Sequence, residues 1–330
     1  MKYQFGIMKH GKKNLITDVP GVTVGHCTIS SGDIQTGVTA IIPHKGDLFH
    51  EKCPAACHVI NGFGKSAGLL QIEELGNIET PLILTNTLSV GTAFTACVRY
   101  MMQRNAGIGR EEGTVNPVIL ECNDGYLNDI RALSVKEEHV FAALDMASED
   151  FFLGAVGAGR GMTCYGLKGG IGSASRTFEK AGETFTVGAL VMTNFGSLRD
   201  LSICGDKVGA RLTGEETKDK GSCIMVIATD APLSSRQLKR VTHRAQNGLA
   251  RTGAITSGGS GEVVVAFSTA NRMEPSEIWE GRVLSDNAID PVFRAAVETV
   301  EEAIIRSMYE AEAVTGLNGH RRNSLKDLIG

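Results

Sequence analysis

Short runs of β-branched and apolar residues recur along the chain. Six of them are too short for a helix and have the length of buried strands. They run from Val38 to Ile42, Pro81 to Leu84, Pro117 to Leu120, Val187 to Met192, Cys223 to Ala228 and Val263 to Phe267. Because segments with a helical period lie between and after these runs, the pattern predicts a mixed α and β fold whose sheets are covered by helices.

Three helical segments carry start signals. Ser134 with Glu137, and Ser234 with Gln237, have the spacing of a capping box, which satisfies the unpaired N–H groups of a first turn. A third helix is predicted to begin at Asp290-Pro291 and to bury its apolar face. Its opposite face carries four charged residues that we expect to be solvated: Glu298, Glu301, Glu302 and Arg306.

Composition and charge narrow the class of protein. With 330 residues, 42% of them hydrophobic, the chain can bury a sizeable core, and no linker divides it, so we expect one domain over residues 1–330. The net charge of -4 and the lack of a basic run exclude nucleic acid as an expected partner. No apolar stretch has the length of a signal peptide or a membrane span, so we expect no membrane partner and a cytoplasmic location.

Eight cysteines do not require disulfides in a chain of this length and expected location. Cys53, Cys57 and His58 could offer ligands to zinc, but no second pair at ligand spacing completes a set of four. We expect instead that Pro54 opens a buried helical turn, and that the protein holds no metal and needs no cofactor.

The segment from Arg251 to Asn271 places a hydroxyl group at the start of a strand. A helix is predicted to stop at Gly253, and a buried strand follows Ser260. If the bond between Gly259 and Ser260 were cut, Ser260 would carry both a nucleophilic Oγ and an α-amine that can act as a base near neutral pH. The same spacing is also typical of an ordinary Gly-Ser-rich connection between a helix and a strand.

Gly259-Ser-Gly-Glu262, followed by Ala266-Phe-Ser-Thr-Ala-Asn271, resembles the self-cleavage junction of the L-aminopeptidase/D-esterase and β-peptidyl aminopeptidase family. Further blocks resemble the same family along nearly the whole chain: Asn14 to His26, Thr80 to Thr87, Glu121 to Asp129, Lys168 to Arg176, Asn194 to Gly196, Ala228 to Leu233 and Glu301 to Ile304. The resemblance implies an α/β (α+β) fold, a four-layer αββα sandwich of the N-terminal-nucleophile type. It also implies self-cleavage into a large chain, 1–259, and a small chain, 260–330, and a homo-oligomer of four or more subunits.

The resemblance also implies roles for single residues. Ser260 would be the nucleophile, Asn194 would supply the side-chain amide of the oxyanion hole, and Glu121 would bind the free ammonium of the substrate. Asn123 would shape the same substrate pocket, at a position where some relatives carry tyrosine. From the residues alone, Asn194 could instead belong to an asparagine turn before Gly196.

Two further residues have alternatives. Glu121 could form an ion pair with one of the chain's own arginines, such as Arg160 or Arg176. Family members use a second serine and a glutamate to assist proton transfer, and the resemblance suggests Ser285 for that serine. Asn287 stands where we would look for the glutamate, and Ser285 could equally cap the turn before the third helix.

The function that the resemblance implies is hydrolysis of a small substrate with a free amine, through an acyl-enzyme on Ser260. The substrate would be a short peptide, a β-peptide, an amide or an ester. Two other functions stay open on the sequence. One is acyl transfer to an amine, as in the ornithine acetyltransferase relatives, and the other is an uncleaved metabolite-binding protein whose glycine-rich loop only connects two elements.

Overall fold

The computed structural model describes residues 3–212 and 221–329. Its strands are, in chain order, β1 (Thr23–Ser31), β2 (Ile34–Ile42), β3 (Cys53–Gly62), β4 (Asn77–Ile78), β5 (Leu82–Asn86), β6 (Val118–Cys122), β7 (Thr163–Cys164), β8 (Leu167–Lys168), β9 (Gly170–Lys180), β10 (Glu183–Asn194), β11 (Ser222–Thr229), β12 (Gly261–Ser268), β13 (Val314–Thr315) and β14 (Arg321–Arg322). Its α-helices are α1 (Leu69–Leu75), α2 (Val90–Arg104), α3 (Glu137–Asp145), α4 (Ser235–Arg251), α5 (Asp290–Tyr309) and α6 (Lys326–Ile329). Short 3-10 helices lie at Ile16–Asp18, Thr87–Ser89, Ile130–Ala132, Gly157–Gly159, Leu198–Asp200, Val208–Arg211, Asp286–Ala288 and Leu317–Gly319.

Most strands belong to two sheets. One sheet has six strands in the order β4-β3-β12-β11-β10-β9, and the other has four in the order β1-β2-β5-β6. β11 and β12 run parallel, as do β5 and β6, while the other neighbours are antiparallel. Each parallel pair is joined through a helix, α4 in the larger sheet and α2 in the smaller, because parallel strands need a long crossover connection.

The two sheets pack face to face between two layers of helices. α4 and α5 contact the six-stranded sheet, and α2 and α3 contact the four-stranded sheet. Between the sheets lies an apolar core to which Leu84 and Leu120 contribute from one sheet and Leu190, Val226 and Val265 from the other. Separate apolar clusters fill the space under each helical layer. The predicted four-layer αββα sandwich is therefore confirmed.

The elements predicted from periodicity are present. The six apolar runs lie in β2, β5, β6, β10, β11 and β12. The predicted capping box begins α4: the hydroxyl of Ser234 accepts the N–H of Gln237 at 3.3 Å, and the Gln237 side chain accepts the N–H of Ser234 at 3.1 Å. α5 begins at Asp290 and buries its apolar face as expected.

Two local predictions are wrong. Pro54 does not open a helical turn but is the second residue of β3. It is tolerated because β3 pairs with β12 only from Ala55 onward, so that ladder does not need the N–H that proline lacks. The helix expected after Ser134 begins instead at Glu137, because the ring of His139 accepts the N–H of Lys136 at 2.9 Å and replaces a serine cap.

Three of the four charged residues expected to be solvated on α5, Glu298, Glu301 and Glu302, are buried, and Arg306 is half-buried, which corrects that expectation. The guanidinium of Arg176, itself fully buried, lies 3.0 Å from the Glu298 carboxylate and 2.8 Å from that of Glu302. The N-terminal segment covers the same face, since the N–H groups of Ile7 and Met8 each donate to Glu298 at 3.1 Å. Helical periodicity shows which residues share a face, but not which distant segment covers it.

Candidate active site

Three strand ends meet at one edge of the six-stranded sheet. Asn194, the last residue of β10, pairs with Ser222 of β11, and Ser222 pairs in turn with Gly261 of β12. Neighbouring strands lie about 4.8 Å apart, so the backbones of Asn194 and Gly261 are about 10 Å apart. Because Ser260 directly precedes Gly261, the predicted nucleophile and the predicted oxyanion donor share this edge.

Ser260 ends a tight turn whose central residues are Gly258 and Gly259. Its N–H donates to the carbonyl of Ser257 at 2.9 Å. Ser260 is fully buried while Gly258 is exposed, so the peptide bond before Ser260 lies at the boundary between protein and solvent. A Cβ atom on either glycine would meet no other atom within 4 Å, so no side chain packs against the turn at these two residues.

Two side chains to which the sequence assigned no role contact this turn. The carboxylate of Glu262, which is buried, accepts a hydrogen bond from the Ser260 hydroxyl. The amide of Asn61, on β3, donates to the carbonyls of Ser257 at 3.2 Å and Gly258 at 3.4 Å, and also to that of Ser260. Ser260 and Glu262 are two residues apart in an extended segment, so their side chains point to the same side of the strand. This spacing is a signal by which the sequence alone could have identified Glu262. Asn61 reaches the turn only because β3 pairs with β12, and the sequence alone does not predict that pairing.

The amide of Asn194 is held at both ends. Its Oδ1 accepts the N–H of Thr163 at 2.9 Å, and its Nδ2 donates to the carbonyl of Asn123 at 2.9 Å. Because a backbone N–H only donates and a carbonyl only accepts, these contacts fix which way the amide points. Within the described residues the second hydrogen of Nδ2 makes no further bond, so it can bind a developing oxyanion.

A buried lysine holds the loop that orients this amide. Lys168 Nζ donates to the carbonyls of Gly159 at 2.9 Å, Met162 at 2.7 Å and Gly169 at 2.7 Å, which uses all three ammonium hydrogens. Burial lowers the pKa of Lys168 well below its usual value. These three bonds fix the chain on both sides of Thr163, whose N–H orients the amide of Asn194.

Glu121 lies on β6 and is 3% exposed. Its carboxylate accepts the N–H of Lys65 at 2.8 Å and the hydroxyl of Thr87. The ion-pair alternative is not observed, because Arg160 and Arg176 bind other glutamates and no lysine or arginine in the described ranges pairs with Glu121. A buried carboxylate with only neutral donors favours a cationic ligand.

A three-residue segment, Phe63 to Lys65, connects the Glu121 carboxylate to Ser260. The N–H of Phe63 donates to the carbonyl of Ser260 at 3.3 Å, and the N–H of Lys65 binds Glu121 at 2.8 Å. The residue between them, Gly64, passes close to Glu121, since a Cβ atom there would lie 3.1 Å from the carboxylate. The structure therefore brings Ser260, Asn194 and Glu121 into one region.

A cavity of about 510 Å³ opens beside Asn194. Asn123, predicted to shape the substrate pocket, lines it, and its side chain accepts the N–H of Gly125 at 2.9 Å. The side chains of Tyr126 and Arg322 belong to the same wall. Asn123 and Asn194 therefore lie together at this cavity.

Ser285 does not belong to this region. The N–H of Leu284 donates to the carbonyl of Pro232, beyond the end of β11, whereas Ser260 lies beside the start of that strand. A strand of 8 residues spans about 25 Å, which separates Ser285 from Ser260. Its hydroxyl instead caps the 3-10 helix that follows, accepting the N–H of Asn287 at 3.4 Å. The capping alternative is the one that the structure supports.

Neither a metal centre nor a membrane helix is found in the part of the chain that the structure describes. In residues 3–212 and 221–329, no group of three or more His, Cys, Asp and Glu side chains is arranged to hold a metal ion. No helix within those ranges is both long and apolar enough to cross a bilayer. All eight cysteines are free thiols, and burial raises the pKa of Cys53 to about 12.

Comparison with known proteins identifies the family of this chain. The model of peptidase family S58 matches residues 14–322. The β-peptidyl aminopeptidase BapA of Sphingosinicella microcystinivorans is 37% identical over 342 residues, covering 94% of this chain and 85% of that protein. The solved structure of the PH0078 protein from Pyrococcus horikoshii OT3 is 51% identical, with a TM-score of 0.95 over 98% of this chain and 94% of that one.

A further solved structure connects the family to a named fold. The L-aminopeptidase D-Ala-esterase/amidase of Ochrobactrum anthropi, a prototype for the serine aminopeptidases and a variant of the Ntn hydrolase fold, is 36% identical. Its TM-score is 0.92 over 97% of this chain and 93% of that one. The family that the sequence resembles is therefore confirmed: this chain is a hydrolase that belongs to peptidase family S58.

Proposed function

We propose that this S58 peptidase is a serine aminopeptidase that activates itself by cutting the bond between Gly259 and Ser260. The family match and the aminopeptidases among its relatives support peptide hydrolysis. One observation carries the proposal of self-cleavage: the Ser260 hydroxyl binds the carboxylate of Glu262 at the buried end of an open glycine turn. Before cleavage the nitrogen of Ser260 is an amide, so another group must accept the hydroxyl proton, and Glu262 is in place to do so.

Self-cleavage is an acyl shift from nitrogen to oxygen. Glu262 takes the proton from Ser260 Oγ, which attacks the carbonyl carbon of Gly259. The bond between that carbon and the Ser260 nitrogen breaks as Glu262 returns the proton to the nitrogen, leaving an ester on Oγ. Water hydrolyses this ester, which releases chains 1–259 and 260–330.

Two features of the turn favour this step. Asn61 binds three of its carbonyls and so restricts the geometry from which Oγ attacks. Thr256, a β-branched residue just before the turn, has a φ of 54° in the left-handed region. Such a conformation costs about 1–3 kcal/mol, and cutting the chain releases it.

Cleavage also makes Ser260 available to substrate. In the uncut chain Ser260 is fully buried beneath the turn. Once residues 257–259 are released, the new α-amine can accept the proton of Oγ near neutral pH, so that one residue supplies nucleophile and base. Asn194 stabilises the oxyanion, and Glu121 binds the substrate ammonium.

Hydrolysis is favoured over the other functions that the sequence left open. Membership of a peptidase family supports an acyl-enzyme that reacts with water over one that transfers its acyl group, and it gives no support to a binding protein without activity. Substrates are short peptides, amides or esters with a free amine. The homo-oligomer, the single domain and the cytoplasmic location stay predictions from the sequence.

The role of Glu121 is tested by Glu121→Gln. We expect the Michaelis constant for an amino-acid amide to rise about 10- to 100-fold, because a charge-assisted hydrogen bond contributes about 1.5–3 kcal/mol. Self-cleavage should be unaffected, since it involves no substrate ammonium. Steady-state kinetics and gel analysis measure both, with the exposed Glu111→Gln as the matched control. Unchanged kinetics in Glu121→Gln would refute the proposed amine site.

A further inference from the structure

Lys168 is the one lysine that is fully buried in the part of the chain that the structure describes. Backbone carbonyls bind all three hydrogens of its ammonium, at 2.9 Å for Gly159 and 2.7 Å for both Met162 and Gly169. A buried charge is destabilising unless each of its hydrogens finds an acceptor, so the ammonium and these carbonyls depend on each other for their positions. Lys168 therefore determines where this part of the backbone lies.

Two of the carbonyls bound by Lys168 flank the hairpin of β7 and β8. Thr163 of β7 pairs directly with Lys168 of β8, so the ammonium and the hairpin belong to one folded unit. This hairpin binds the end of β10 at two points. The N–H of Thr163 donates to Asn194 Oδ1 at 2.9 Å, and the N–H of Tyr165 donates to the carbonyl of Phe195 at 2.7 Å. The amide of Asn194 is therefore oriented by a hairpin whose position Lys168 fixes.

The proposed amine site is held by other parts of the chain. The carboxylate of Glu121 accepts the N–H of Lys65 and the hydroxyl of Thr87, and neither residue belongs to the hairpin. An oxyanion donor must meet the developing charge accurately, because a misplacement of about 1 Å can slow a reaction about 100-fold. A disturbed hairpin should therefore slow the chemical step and leave the binding of the substrate amine unchanged.

We infer that Lys168 is a positioning residue for the reaction, acting on the chemical step through Thr163 and the amide of Asn194. This inference rests on the proposed function, because it takes Asn194 as the oxyanion donor. It assigns Lys168 no contact with the substrate. The ammonium contributes by keeping the amide in the orientation that the tetrahedral intermediate requires.

A double-mutant cycle tests the inference. Lys168→Met removes the ammonium and keeps an unbranched side chain. We expect it to lower kcat on an amino-acid amide about 10- to 100-fold, with KM changed less than about twofold. In the Asn194→Ala background the same substitution should change kcat less than about twofold, because the group through which Lys168 acts is already absent. Each kcat is expressed per cut chain, counted on a denaturing gel, so that a defect in self-cleavage does not enter the value.

Arg176→Met is the matched control, since Arg176 is also a fully buried cation but binds the glutamates of α5. It should leave kcat unchanged once the folded fraction is taken into account. The role of Lys168 alone would be overturned if Asn194→Ala is slow and the two fold reductions multiply in the double variant, or if Arg176→Met loses as much kcat. Near-normal kcat in Asn194→Ala would overturn the proposed oxyanion donor, and the inference with it.

A pH profile decides the question if Lys168→Met does not fold. A neutral amine has two hydrogens, so loss of the proton releases one of the three carbonyls. Burial and the charge of Arg160 lower the pKa of Lys168 well below 10.5, against the opposing effect of Cys164, Asp124 and Glu312. Wild-type kcat should therefore decline as pH rises toward 10.5, and kcat of Asn194→Ala should not. No decline in the wild type, or the same decline in both proteins, would overturn the inference.

Discussion

At the scale of single residues, the proposal gives the amide of Asn194 the task of stabilising two tetrahedral oxyanions, one in self-cleavage and one in substrate hydrolysis. Asn194→Ala should slow substrate turnover about 100- to 1000-fold, the usual effect of removing one oxyanion donor. The measurement is kcat on an amino-acid amide, with Asn247→Ala, an exposed position on α4, as the control. A variant with near-normal turnover would reduce Asn194 to a residue that terminates β10.

Glu262 yields a separate prediction, because we propose that it accepts the Ser260 hydroxyl proton before the chain is cut. Glu262→Gln keeps the size and hydrogen-bonding capacity of the side chain but cannot take a proton, so uncut protein should accumulate. Glu262→Asp keeps the base and should restore part of the cleavage. Gel time courses of freshly made protein measure both rates. Cleavage of Glu262→Gln at the wild-type rate would exclude Glu262 as the base.

The sequence predicted the parts of the site that lie in recognisable motifs. Asn194 and Glu121 follow apolar runs and Ser260 precedes one, and the structure brings all three to one region. Asn61 and Thr163 could not be found this way, because their contacts depend on the pairing of distant strands and on a loop held by Lys168. Ser285 was suggested by resemblance alone, and the fold places it at the opposite end of β11.

At the scale of elements, the sequence predicts what local periodicity determines. Both the strands and α4 with its capping box follow from the order of apolar and polar residues. The errors occur where a distant segment decides the outcome. Pro54 is accepted in β3 because of where the β12 ladder starts, and the acidic face of α5 is buried because Arg176 and the N-terminal segment cover it.

The buried charges on α5 predict an unequal response to two similar substitutions. Arg176 is fully buried and pairs with two buried glutamates, so Arg176→Met should lower the free energy of unfolding by about 3–5 kcal/mol. Arg282 pairs with Glu183 at an exposed position where solvent screens both charges, so Arg282→Met should have a much smaller effect. Urea unfolding measures both. Equal effects of the two substitutions would contradict the account of this face.

At the scale of the whole molecule, a buried carboxyl makes stability depend on pH. Asp124 accepts hydrogen bonds from Thr36 at 2.6 Å and Asn128 at 3.0 Å, and burial raises its pKa from 3.8 to about 6. Between these values the folded chain holds a proton that the unfolded chain has lost. The free energy of unfolding should therefore fall as pH rises through this range, by on the order of 3 kcal/mol.

Asp124→Asn removes this titration and serves as the reference. The free energy of unfolding of the wild type, relative to that of Asp124→Asn, should fall from pH 4 to pH 7 and then stay constant. Both are measured by urea unfolding in the Ser260→Ala background, which is expected to keep the chain in one piece. A difference that does not vary with pH, or that varies in the opposite direction, would contradict the raised pKa.

The central claim is that the molecule makes its own catalytic N-terminus. Its most direct test is the mass of the wild type and of Ser260→Ala, purified side by side and analysed under denaturing conditions. We predict two fragments in the wild type, the smaller beginning Ser260-Gly-Glu262, and one inactive chain of 35.1 kDa in Ser260→Ala. An active wild type that stays in one piece, with no fragment beginning at Ser260, would contradict the account.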